Sequence, residues 1–109
     1  MGYYTRYTLS LVGAANPDDE LRIIHQLREW NEYAEHAFSD AGSQSSEVKW
    51  YDHEDDLLDF SRRFPQVTFK LSGRGEENGD IWDKYFRNGK MQTCRAEIRK
   101  PDFDPSKLQ

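Results

Sequence analysis

Residues 3–12 alternate with a period of two. Tyr3, Thr5, Tyr7, Leu9 and Leu11 fall on one side, with Tyr4, Arg6, Thr8, Ser10 and Val12 on the other. This predicts a half-buried strand with the first set inward, ended by Gly13. The period then changes. Ile23, Leu27, Trp30, Ala34 and Ala37 recur at helical spacing, flanked by Ile24 and Phe38. Asn16 can cap this helix, Pro17 suits its first position, and Asp18, Asp19 and Glu20 favour the positive end of the dipole. The helix should run to about Phe38, and the Asn31-Glu32 pair could interrupt it. Residues 39–46 hold four serines and read as a loop. A short strand follows at 47–51, with Val48 and Trp50 on one face and Lys49 and Tyr51 on the other.

Asp52 is placed to cap a second helix, with Leu57, Phe60, Ser61 and Phe64 as its inner stripe and Pro65 as its stop. Val67, Phe69 and Leu71 alternate with Thr68, Lys70 and Ser72, which predicts a third strand. Residues 73–79 form a polar, glycine-rich loop. Residues 80–98 then make one hairpin closed by Asn88-Gly89, because a type I′ turn needs positive φ at both central positions. A two-residue turn sets the register. Arg87 faces Lys90, Phe86 faces Met91, Lys84 faces Thr93, Asp83 faces Cys94, Trp82 faces Arg95 and Ile81 faces Ala96. The side bearing Ile81, Asp83, Tyr85, Gln92, Cys94, Ala96 and Ile98 suits a core, with Asp83 near an edge. Residues 101–109 form a tail that Phe103 could strap down, leaving 1–100 as a single domain.

The order is β-α-β-α-β-β-β. The simplest architecture is an α+β two-layer sandwich, a five-stranded and mainly antiparallel sheet with two helices on one face. The other face is left open. It would gather Tyr4, Arg6, Thr8, Lys49, Tyr51, Thr68, Lys70, Trp82, Lys84, Phe86, Met91 and Arg95. Five cations would lie among four aromatics and no acid. Such a surface can stack bases and pair phosphates, or grip an acidic protein with its rings as hot spots. Ordinary cross-strand pairing explains it as well, and the tail or a second subunit could cover it. The binding candidates are Tyr4, Arg6, Lys70, Trp82, Lys84, Phe86 and Arg95.

Composition narrows these options. The chain has 109 residues with 36% hydrophobic and 14% aromatic content, enough for one core rich in rings. Its net charge of -5 disfavours general binding to a phosphate backbone. The single cysteine, Cys94, excludes an internal disulfide and fits a reducing cytoplasm. It is expected inward and inert. No apolar run has the length of a membrane span.

No catalytic or metal residue and no cofactor is assigned. Asp52, His53, Glu54, Asp55, Asp56 and Asp59 are dense in oxygen ligands, but their spacing is that of a solvated helix face. His25 and His36 would stand about 16 Å apart on one helix, too far for one ion. Gly73-Arg74-Gly75 opens no helix and is a poor phosphate loop. Nothing in the residues argues for an enzyme, although the acidic loop with Glu76 and Asp80 could host one.

One pattern is shared with a known class. Trp50-Tyr51, a short helix ending Phe64-Pro65, then Val67-Thr68-Phe69-Lys70-Leu71, a Gly/Glu loop and the hairpin Tyr85-Phe86-Arg87-Asn88-Gly89 resemble the ferredoxin-like domains of small phage and mobile-element accessory proteins. The opening strand ending Leu11-Val12-Gly13 fits too. The resemblance implies a non-enzymatic protein that binds a host protein in the host cytoplasm, immunity factors included. The alternative is a binder of nucleotides or single-stranded nucleic acid through the open sheet face.

Overall fold

The structure is a computed structural model that describes residues 3–13, 16–97 and 102–108. It is an α+β fold. Strand β1 (Thr5–Val12) leads to helices α1 (Pro17–Trp30), α2 (Glu32–Ala37) and α3 (His53–Ser61). Strands β2 (Thr68–Gly75), β3 (Ile81–Arg87) and β4 (Lys90–Arg95) follow. A 3-10 turn, Pro105–Lys107, lies near the C-terminus. The sheet has four strands in the order β1-β2-β3-β4, every neighbour antiparallel. Among the described residues no helix is long and apolar enough to cross a membrane.

The sheet differs from expectation in strand number. Residues 47–51 do not form a fifth strand, because Val48 makes one isolated bridge to Thr5 and Trp50 then turns into the core. The ferredoxin-like order is therefore not confirmed. Such units run β-α-β-β-α-β, whereas here three helices separate β1 from a meander. Strand β2 also extends through Gly75, three residues into the predicted loop.

The first helical stretch breaks at the predicted pair. The Asn31 N–H donates to the Leu27 carbonyl and closes α1. Its side-chain oxygen accepts from the amides of Tyr33 and Ala34, opening α2. One asparagine thus satisfies backbone groups at two helix ends. Ile23, Ile24, Leu27, Ala34, Ala37 and Phe38 are buried as their spacing requires. Trp30 is 39% exposed, with the Arg63 guanidinium over its ring at 5.1 Å. At α3 the expected side-chain cap from Asp52 is absent; its backbone carbonyl accepts from Asp56 instead.

The core lies between the helices and one face of the sheet. Tyr7, Leu9, Phe69, Leu71, Trp82 and Phe86 supply the sheet side, with Trp50, Leu57 and Phe60 opposite. The hairpin turn forms as its sequence demands, with φ of 47° at Asn88 and 75° at Gly89. All the register pairs within the strands match expectation, and the Ala96 N–H donates to the Ile81 carbonyl. Ile98 lies outside the described residues. Phe103 does not strap the tail down, being 77% exposed.

Candidate functional site

The hairpin has the expected register but presents its sides the other way round. Phe86 pairs with Phe69 and Trp82 with Gly73, so both rings face the helices. Trp82 is 6% exposed and Phe86 is fully buried. Ile81, Asp83, Tyr85 and Cys94 occupy the open face instead, and Cys94 is exposed rather than inward. Large rings decide the choice, because burying a Trp and a Phe removes more apolar surface from water than burying an Ile and a Tyr. The signal was obscured by Lys84, which interrupts an otherwise apolar Trp82-x-Lys84-x-Phe86 alternation.

The seven binding candidates therefore do not share one surface. Trp82, Lys84 and Phe86 are buried on the inner face. Arg95 is also on that face but exposed at the sheet edge, 3.5 Å from Asp80. Arg6 and Lys70 are on the open face. Tyr4 lies at the rim, beneath the Lys49 ammonium at 4.8 Å.

Lys84 is 5% exposed and fully occupied. Its ammonium lies 2.8 Å from Glu54 Oε2, 2.7 Å from His53 Nε2 and 4.2 Å from the Trp82 ring centroid. His53 Nδ1 is 2.8 Å from the Trp50 carbonyl oxygen. A carbonyl only accepts, so Nδ1 carries the proton and Nε2 accepts from Lys84. Burial first, and then the Lys84 charge, hold the imidazole pKa below its ordinary value. The hydrogen bond from Lys84 holds the Glu54 carboxyl below its ordinary value. Trp82 stacks on His53 at 5.2 Å. Its ring lies against Gly73, where a Cβ would come within 2.2 Å of Cζ2. Trp50 donates from Nε1 to Asp56 at 2.7 Å, and Asn31 Nδ2 donates to the same oxygen at 2.8 Å. Burial pushes the neighbouring Tyr7 phenol up to about 12, so its hydroxyl stays protonated and donates to the Trp50 carbonyl.

A cavity of about 210 Å³ opens beside this network, lined by Tyr3, Tyr51, Asp80 and Arg95 as well as Lys84. Tyr3 donates its hydroxyl to Asp80 Oδ2 at 2.6 Å. Of the charges beside the cavity, Lys84 pairs with Glu54 and Asp80 with Arg95. Glu54 and His53 of α3 meet Lys84 of β3, which fastens α3 to the sheet. Among the described residues no group of three His, Cys, Asp or Glu side chains could hold a metal ion.

The open face is different. Arg6 lies opposite Arg74, Lys70 lies between Ser10 and Tyr85, and Arg87 lies opposite Lys90. Small hydroxyl side chains, Thr8, Ser10, Thr68 and Ser72, fill the centre, and no side chain of this face is buried. Five cations thus share a surface whose strands carry one acid, Asp83. Arg6 meets Glu47 at 2.7 Å and Lys70 stands 3.9 Å from Asp83. A depression of about 320 Å³ runs between Arg6, Gln44, Arg74 and Ile81. The sequence predicts an open, basic face, and of the cations found there it names Arg6 and Lys70. Arg74 falls in the predicted glycine-rich loop, and Arg87 and Lys90 flank the turn outside the predicted face. No family model, curated protein or solved structure matches this chain.

Proposed function

We propose that this chain is a small, non-enzymatic binding protein that docks an acidic partner protein on the open face of its sheet. One observation carries the reading. A chain with 20 acidic and 15 basic residues gathers five cations on the strands of that face, with one acid among them. The competing reading, a platform for nucleotides or single-stranded nucleic acid, loses its main support. It needs exposed rings for stacking, and Trp82 and Phe86 are in the core. Tyr85 is the one aromatic side chain left on the open strands. The resemblance to phage accessory domains extends the proposal to a host protein in the host cytoplasm, defence factors included. The ferredoxin-like comparison rests on the same resemblance and is supported only as far as an α+β fold.

The test compares two polyanions. Poly-L-glutamate should bind saturably and weaken with salt. The double variant Lys70→Glu with Arg74→Glu should weaken it about tenfold or more. Indifference to this charge reversal refutes the docking face. Tight oligo(dT) binding that depends on Tyr85 would transfer the function to the nucleic-acid reading.

A further inference from the structure

We infer that the free edge of β4 accepts an extended, acidic segment of the partner protein as a fifth strand. This deepens the docking reading above and rests on it. The two edges of the sheet are unlike. Along β1, the Leu9 N–H donates to the Gly42 carbonyl at 2.8 Å, while Thr5 and Val48 exchange hydrogen bonds of 3.0 and 3.1 Å. The chain thereby occupies that edge at Thr5 and Leu9 with its own Val48 and Gly42. Among the described residues strand β4 has no such cover. It pairs with β3 alone, and all of its side chains but Met91 are exposed.

The register states which backbone groups are available. Ala96 bonds Ile81, and antiparallel pairs alternate between bonded and non-bonded. Lys90, Gln92 and Cys94 therefore point their amides at β3, while Met91, Thr93 and Arg95 point theirs outward. Among the described residues no group takes up these three amides. An unpaired row of this kind is a template for strand addition.

Charge selects the occupant. Strand β4 carries Lys90 on the open face and Arg95 on the inner face, with no acid. Lys90 continues a cation pair with Arg87. Acids alternating along the guest would meet this pair on the open side. The intervening residues would lie beside the half-buried Met91 and suit apolar side chains. A second copy would instead bring two more cations to the seam, which the edge lysine resists.

The full chain is screened against a random displayed-peptide library. Enriched peptides should alternate acidic with apolar residues. They should slow amide exchange at Met91, Thr93 and Arg95 in the unmodified protein, a readout that needs no variant to fold. Thr93→Pro removes one outward N–H without touching β3, and should weaken binding about tenfold or more with unchanged circular dichroism. Acidic peptides that ignore Thr93→Pro but lose affinity in the Lys70→Glu, Arg74→Glu variant overturn the edge and leave the docking face standing. Enrichment of peptides without acids, or none at all, overturns both. A concentration-dependent dimer abolished by Thr93→Pro assigns the edge to a second copy and also overturns the inference.

Discussion

At the scale of single residues, Trp82 is the side chain on which inner-face packing turns. Gly73 leaves room for its ring, and His53 stacks on it. Trp82→Ala should cost about 3–5 kcal/mol. Gly73→Ala should cost about 1–3 kcal/mol by overpacking against the ring. Both are checked by urea unfolding. His53 makes stability depend on pH. Its folded-state pKa is depressed, so on acidification the unfolded imidazole takes a proton that the native one refuses. Stability should fall as the pH drops through about 6.5 and level off below the folded-state value. Glu54, also depressed, adds a further loss at lower pH, as its bond to Lys84 is protonated away. Unfolding midpoints measured between about pH 8 and pH 5 should show a shallower slope in His53→Gln. An NMR titration placing the imidazole above its ordinary value would contradict this. None of this network was legible beforehand. The sequence places Lys84 with Trp82 and Phe86 on the open binding face, and nothing in a linear string reveals that Glu54 and His53 meet it on the inner one.

At the scale of elements, local chemistry was legible and pairing partners less so. The Asn88-Gly89 turn specifies its own geometry, and every strand pair of the hairpin follows from it. What the turn does not specify is which side faces inward, a choice made by packing against Phe69 and Leu71 from a different strand. The break at Asn31 was visible because asparagine offers one oxygen to the next helix. Asn31→Ala removes that cap and the bond to Asp56, and should cost about 1–2 kcal/mol in thermal or urea unfolding. The missing fifth strand has the opposite lesson. Residues 47–51 alternate well enough, but Trp50 gains more from the core between Tyr7 and Phe38 than a ladder along β1 would return.

At the scale of the whole molecule, the acids gather on the helical layer and leave the strands of the open sheet almost free of them. The acids of α1 and α3 lie on the helical side, while five cations lie on the open sheet. An acidic partner approaching the sheet meets a field opposite in sign to the chain's net charge. Polyglutamate association should accordingly slow as salt rises, while urea stability moves little. The class of fold and the existence of a basic face were open to sequence reasoning. The membership of that face was not, since it depended on the inward turn of three side chains in β3.

The self-bonded rim along β1 carries a consequence for assembly. Head-to-tail growth requires two complementary margins on every molecule, one to give and one to receive. Here Val48 and Gly42 already occupy one of them. Copies cannot join sheet to sheet through β1 where Thr5 and Leu9 are already bonded within the chain, and β4 is the side left for extension.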